Sequence, residues 1–279
     1  VDGPWNQIAV AKAPCWRFGA CGKIARTEQR EPRANMANAY WKKMEKSDGI
    51  RRAKLFVKRL QGKEPKLQPD TTVNLRSYDC WSLCPDLLRP GHIVYSLGVG
   101  DTIDFDLQLI ESLGVEVHAF DPTPHAMKWV EEQDVPAGFH FHPWAAAARD
   151  GSLFLYPRIK SDGSKSTVMY TIMEEGQAEA AGVEVPALTL ASMMKKLGHE
   201  SIDLLKMDIE GAEYGVIDTL LASDVRPAQL LIEFHHRFKD IDMQQTVDAI
   251  AALRMAGYGL TDIAPTGREF SFVKLSALA

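Results

Sequence analysis

From residue 91 onward the sequence alternates between short apolar runs and segments of helical period, and no other feature restricts the fold as strongly. HIVYSLG, VEVHAFD, FHFHPWAAA, IDLLKMD and QLLIEFH read as buried strands, while 105–113, 124–132, 210–222 and 243–256 space their apolar residues as helices do. Strands separated by helices pair through crossovers, which gives a mainly parallel sheet with helices on both faces. GYGLTDIA and REFSFVKL, joined by PTG, read as an antiparallel hairpin closing the carboxyl-terminal edge. SLFLYP reads as an additional strand and PALTLASMMKKLG as an extended entry into a helix, whereas 161–182 follows no single period. The expected class is α/β and Rossmann-like.

The first 75 residues do not share this pattern and read as an extension, irregular and then helical, ahead of a main domain over 76–279. Within it, 32–62 suggests two amphipathic helices, one with Met36, Tyr40 and Met44 on a face, the other with Ile50, Ala53, Val57 and Leu60. Up to Lys66 there are 16 basic and 6 acidic residues, a net of +10, whereas the rest carries a net of −15. A basic arm can bind nucleic acid or anionic membrane, but a basic segment folded against an acidic body accounts for the same asymmetry, and no nucleic-acid partner is expected. The extension could wall an acceptor pocket or make a homodimer contact. No apolar run approaches the roughly 20 residues that cross a bilayer, so no transmembrane segment is expected.

Cys15 with Cys21, and Cys80 with Cys84, form two close pairs without histidines at zinc-finger spacing. As disulfides they would indicate a secretory or lumenal compartment; as buried thiols they leave a cytoplasmic one open. The chain begins at Val1, and whether a targeting peptide has been removed is open as well.

SLGVGD ends the first main strand. In an open parallel sheet ligands settle beyond the carboxyl ends of the strands, where strand order reverses. Gly98 and Gly100 would let the backbone turn there and approach a ligand without a Cβ in the way. A dinucleotide fingerprint needs a third glycine where Ile103 stands. The carboxylates of Asp101, Asp104 and Asp106 oppose a pyrophosphate but suit a cation. They favour S-adenosylmethionine, with its sulfonium and amino groups, over a nicotinamide cofactor. Asp121, ending VEVHAFD, is placed to accept hydrogen bonds from ribose hydroxyls, and Trp144 and Ala145 to flank adenine. Simpler roles are a helix cap for Asp121 and a core aromatic for Trp144.

These residues resemble the FkbM family of S-adenosylmethionine-dependent methyltransferases. LLKMDIEGAE is similar to that family's lysine, aspartate, glutamate, glycine, glutamate signature; VYSLGVGDTIDFD, VHAFDPTP and VPALTLASMMKKL extend the likeness over roughly 87–275. The glycine loop departs from the family's usual Asp-x-Gly-Ala-Asn, with Ser96 in place of the acid and Val99 and Gly100 in place of the small-polar pair. The resemblance implies a class I methyltransferase fold and, most often, transfer to a hydroxyl oxygen of a sugar or secondary metabolite, hence a small-molecule or glycan acceptor. An NAD-dependent oxidoreductase and a catalytically silent module binding S-adenosylmethionine or a glycan are the competing expectations.

Methyl transfer to a hydroxyl requires nucleophile, methyl and sulfur in line, and a group that takes the hydroxyl proton. Asp208 ends the fourth main strand and Glu210 follows it; Glu233 and His235 lie two apart on the next strand and share a face, with His236 pointing elsewhere. Asp208, Glu210 and His235 are therefore the candidate catalytic residues. Asp208, Glu233 and His235 form a candidate site for a divalent metal, magnesium, manganese or zinc. Glu210 and Glu213 are also accounted for as first-turn carboxylates at the positive end of a helix. Lys206 reads as a counter-charge for nearby carboxylates, and KSDGSKSTVMY, 160–170, as a polar loop able to close over substrate.

Overall fold

A computed structural model describes residues 47–159, 165–172, 182–239 and 241–279. Cys15, Cys21, the first of the two expected amino-terminal helices and the start of the 160–170 stretch lie outside the described residues. The chain runs through α1 (Asp48–Leu60), a hairpin of β1 (Arg76–Tyr78) and β2 (Trp81–Leu83), then β3 (Ile93–Leu97), α2 (Asp104–Leu113), β4 (Glu116–Phe120), α3 (Pro124–Glu131) and β5 (Phe139–His142). Four further strands follow: β6 (Ala145–Ala146), β7 (Gly151–Ile159), β8 (Lys165–Ile172) and β9 (Val183–Leu188). The last part comprises α4 (Leu190–Leu197), β10 (Leu204–Met207), α5 (Glu213–Ala222), β11 (Gln229–Glu233), α6 (Met243–Met255), β12 (Tyr258–Ile263) and β13 (Glu269–Lys274).

The main sheet has seven strands in the order β12-β13-β11-β10-β3-β4-β5. β5, β4, β3, β10 and β11 are parallel, and β13 and β12 complete the edge as the expected antiparallel hairpin. Strand order therefore reverses between β3 and β10, the place where a Rossmann-like sheet leaves a crevice. All four residues of β10 and all five of β11 are buried, including Lys206, Gln229 and Glu233, as central strands of a sheet covered on both faces should be. On one face the sheet packs against Met193, Ile217 and Leu253 of α4, α5 and α6; on the other against Phe105 and Leu109 of α2, Val130 of α3 and the β1–β2 hairpin.

The helices start and stop where side-chain chemistry supplies an end. Thr123 and Thr189 cap α3 and α4 with their hydroxyls, Asp242 and Gln245 form a reciprocal capping box at α6, and Gly114 and Gly198 end α2 and α4 in the left-handed conformation. α5 differs from expectation, beginning at Glu213 rather than at 210. Glu210 and Gly211 have φ of 54° and 105°, so the chain leaves β10 through a left-handed turn before it can become helical.

The third expected strand also divides. FHFH stays in the main sheet, and Ala145–Ala146 crosses to a second sheet, ordered β6-β9-β7-β8, whose β8 occupies the later half of the expected polar loop. β8 pairs with β7 in register from Leu155 to Pro157 and then across a shift between Pro157 and Ile159, which interrupts alternation within 165–172.

Residues from Glu45 onward form one compact unit. The face read on the helix of the extension is not the buried one: in α1 only Leu55 is buried, whereas Val57 and Leu60 are exposed. Just beyond α1, Glu64 is buried and accepts from His236 Nε2 at 2.8 Å and Arg237 Nε at 2.7 Å, drawing its pKa down to about 2 although burial opposes the charge. Cys80 and Cys84 are free thiols, not a disulfide. The hairpin between them is pinned differently, by the Gln229 side chain, which accepts from the Cys84 N–H at 2.8 Å and donates to its carbonyl at 3.0 Å. No helix among the described residues is long and apolar enough to cross a membrane.

Candidate active site

The turn after β3 sets the geometry. Gly98 has φ of 86°, and a Cβ there would stand 1.8 Å from the carbonyl oxygen of Asp208, so glycine lets the ends of β3 and β10 close together. Lys206 Nζ donates to the Gly98 carbonyl at 2.8 Å. Its other neighbour is Asp106, whose buried carboxyl has its pKa pushed up by burial and drawn down by Lys206. Asp106 is buried, and the charge of Lys206 opposes the net upward shift of its pKa.

From β4, Asp121 holds the same loop. Its Oδ2 accepts the N–H groups of Val99 and Gly100, each at 3.0 Å, and its Oδ1 accepts the N–H and hydroxyl of Thr123 at 2.9 and 2.6 Å. Two donors at each oxygen leave the carboxylate saturated within the protein, so here it shapes the loop. Thr123, not Asp121, caps α3.

A cavity of about 250 Å³ lies over this loop. Gly98, Gly100, Asp101, Asp121, Trp144 and Ala145, the six residues expected at the cofactor, all line it, together with Asp208 and Glu210. Space is open where a Cβ on Gly100 would project. Trp144 is half-buried on the cavity wall, packed on one side against the core and stacked on His142 with centroids 4.9 Å apart.

Beside the cavity, β10 and β11 bring the acidic residues around a histidine. The His235 side chain is 4% exposed, and its Nδ1 lies 2.9 Å from Glu213 Oε1. The Glu213 carboxylate also accepts the N–H groups of Ile209 at 3.0 Å and Gly211 at 3.1 Å. A carboxylate only accepts, so in the neutral ring Nδ1 carries the proton and Nε2 presents a lone pair. That lone pair faces Asp208 Oδ1 at 3.7 Å, Glu210 Oε2 at 3.9 Å and Glu233 Oε1 at 3.9 Å. Burial disfavours charge on His235, but the Glu213 bond and the surrounding carboxylates outweigh it and raise the pKa. Burial, then the charge of Asp208, push Glu233 up to about 7, against the opposing pull of Arg268, whose Nη1 is 2.7 Å from Oε1. The expected trio of Asp208, Glu233 and His235 does converge, with ligand atoms all within 4.8 Å of one another.

Sequence reasoning missed two features. Glu213 looked like a helix-start carboxylate, yet it is fully buried and orients His235. Its spacing was the available signal: Glu213 stands three and four residues before Val216 and Ile217, on the buried face of α5.

The second is a histidine group beside Trp144. His118 Nδ1 lies 2.9 Å from His142 Nε2, Tyr95 Oη 2.8 Å from His199 Nδ1, and His140 Nε2 2.9 Å from Glu116. Alternate positions on adjacent strands would have shown His118 beside His140 and His142. Burial and mutual repulsion push His118 down to about 3 and His142 down to about 4. In the unfolded chain these rings protonate near 6.5, so below that pH the unfolded state takes up protons that the folded state refuses. The contribution of these two rings to stability should therefore fall as pH drops from 7 to 5, while Glu233 and His235, whose pKa values are raised, contribute in the opposite sense over the same range. Urea midpoints isolate the ring contribution as a difference: His142→Gln should gain stability relative to the unsubstituted protein as pH falls, and a difference that does not change with pH would contradict the assignment.

A model of the methyltransferase FkbM domain matches residues 74–260. The chain belongs to the FkbM methyltransferase family. Probable methyltransferase-like protein 24 of Homo sapiens is 28% identical over 166 residues, covering 56% of this chain and 38% of the human protein. The protein of the same name from Rattus norvegicus is 28% identical over 145 residues, covering 51% of this chain and 32% of its own. The chain thus spans well under half the length of these relatives. A solved methyltransferase FkbM from Methylobacillus flagellatus superposes with a TM-score of 0.41 at 13% identity, covering 66% of this chain and 43% of that one. Fibrillarin from Aeropyrum pernix, solved with S-adenosylmethionine bound, gives 0.36 at 12% identity, covering 67% and 66%. For an FkbM member, the Rossmann-like sheet described above is a class I methyltransferase fold.

Proposed function

We propose that this FkbM domain is an S-adenosylmethionine-dependent O-methyltransferase acting on a hydroxyl of a small-molecule or carbohydrate acceptor. The observation that carries this reading is one cavity lined both by the glycine loop with Trp144 and by Asp208 and Glu210, with His235 Nε2 3.7 Å from Asp208. The residues suit the cofactor: glycine backbone for close approach, an aromatic wall for adenine, and the carboxylate of Asp101 for a cationic ligand. Gly98, Gly100, Asp101, Trp144 and Ala145 would hold it directly, and Asp121 through the loop it orders. When bound, S-adenosylmethionine supplies an electrophilic methyl, whose bond to sulfur breaks as a bond to the acceptor oxygen forms, sulfur keeping the electron pair. Asp208 positions the acceptor by accepting a hydrogen bond from a hydroxyl next to the reacting one, so that the reacting hydroxyl donates its single hydrogen bond to His235. His235 Nε2, held with its lone pair outward by Glu213, takes the proton, and Glu210 stabilises the imidazolium. The carboxylates also oppose a phosphate-bearing acceptor next to this wall.

The test is transfer of a labelled methyl group from S-adenosylmethionine to a panel of sugar and small-molecule hydroxyls. Labelled ether product supports the reading. Binding of S-adenosylmethionine without transfer to any hydroxyl, in a folded protein, would favour a silent module, and NAD-dependent oxidation of the same panel an oxidoreductase.

A further inference from the structure

We infer that Asp208, Glu233 and His235 bind one divalent cation of the manganese type. The inference deepens the proposed function and rests on it only for the catalytic consequence, since ion binding stands on the geometry alone.

Three observations combine. The first is spacing. Ligand atoms roughly 2.1 Å from a common ion stand about 3 to 4.2 Å from each other, depending on the angle between them. His235 Nε2 lies 3.7 Å from Asp208 Oδ1 and 3.9 Å from Glu233 Oε1, inside that range without rearrangement of the strands.

The second is the state of His235. The side chain is 4% exposed, its Nδ1 is bonded to Glu213, and its Nε2 makes no hydrogen bond among the described residues although three carboxylates face it. His235 Nε2 stands 3.7 Å from Asp208 Oδ1 and 3.9 Å from Glu233 Oε1, too far for a hydrogen bond and close enough for one ion to take all three as ligands. A carboxylate behind the far ring nitrogen is the arrangement that metal-bound histidines use to fix tautomer and orientation.

The third is charge. Around this point stand Asp208, Glu210, Glu213, Glu233 and Glu269; Arg268 lies 2.7 Å from Glu233 and 3.7 Å from Glu269, and the charge of Arg237 also reaches Glu269. Glu233 Oε1 accepts from Arg268 on one lone pair and keeps a second that an ion could take. The excess of negative charge is satisfied by a divalent ion more completely than by a single ammonium group.

Two carboxylates and one imidazole form a mixed oxygen and nitrogen set that favours manganese over calcium, which takes oxygen ligands in larger number. Asp208, 38% exposed and on the cavity wall, opens the ion to the acceptor. The ion would then lower the hydroxyl pKa and hold the oxygen, His235 would serve as ligand instead of base, and the released proton would pass to Glu210 and solvent.

The experiment is titration of Mn²⁺ into the folded domain, reading the loss of the free-ion electron paramagnetic resonance signal, with Asp208→Asn and Glu233→Gln in parallel. One equivalent bound, weakened at least tenfold in both variants, is the expected result. Asp208→Asn, at a part-exposed position, keeps the test valid if Glu233→Gln fails to fold, as circular dichroism would show. A free-ion signal undiminished up to millimolar Mn²⁺, or binding that Asp208→Asn leaves intact, would overturn the inference. Titrating S-adenosylmethionine in the presence and absence of EDTA separates the two ideas: cofactor binding without ion binding removes the metal and leaves the methyltransferase, and ion binding without cofactor binding does the reverse.

Discussion

Alanine at Gly98 is expected to abolish cofactor binding and to destabilise the domain by roughly 3 kcal/mol or more, at the upper end of what overpacking costs. The new Cβ would fall 1.8 Å from the Asp208 carbonyl oxygen, and that atom belongs to backbone, so no rotamer change relieves the contact. β3 and β10 would have to part at the point where the cavity begins, displacing Asp208 and the Asp121-bound amides together. Gly100→Ala is the informative companion. It also requires a positive φ, 60°, but its Cβ would meet nothing within 4 Å. It should lose only the roughly 1–2 kcal/mol of a left-handed alanine, with any larger loss in affinity reporting cofactor contact. Thermal unfolding and calorimetry on the pair would show the contrast; equal, small effects at both positions would refute the close approach.

The second large effect concerns turnover. Asp208→Asn and His235→Ala should each lower the rate of methyl transfer by about 10²- to 10⁴-fold, the range ascribed to a positioned acid or base, while cofactor affinity changes by only a few-fold. The distinction follows from the proposed arrangement, in which His235 and Asp208 flank the acceptor side, whereas the glycine loop is held independently by Asp121 and Lys206. Glu213→Gln should produce a smaller loss of rate together with a loss of stability, because Glu213 both orients His235 and accepts the N–H groups of Ile209 and Gly211. Full activity in Asp208→Asn and His235→Ala would remove them from the chemistry.

Much of this arrangement was readable in the sequence because the main sheet is made of strands buried on both faces. LLKM and QLLIE admit no other placement than the sheet centre, and the residue following such a strand falls at the ligand edge wherever the strand sits in the order. Asp208, Glu233 and His235 could therefore be brought together from alternation alone. What escaped were features set by tertiary pairing. Whether Glu210 is helical depends on the left-handed turn through Glu210 and Gly211, which leaves no periodic trace. The exposed face of α1 carries Val57 and Leu60 with helical spacing, and spacing alone cannot tell a face that packs from one that does not. β8 pairs partly across a register shift, which interrupts alternation. Asp121 is the subtlest case: its position at the cavity was legible, but its saturation by Val99, Gly100 and Thr123 depends on how the loop folds back onto it.

The cavity beneath Trp144 and over Gly98 is central to this account, and calorimetric titration of the domain with S-adenosylmethionine, S-adenosylhomocysteine and NAD tests it most directly. One equivalent of each sulfur nucleoside, competing for one site that Gly98→Ala destroys, with no heat from NAD, is the predicted result. Binding of NAD without binding of either sulfur nucleoside would contradict it.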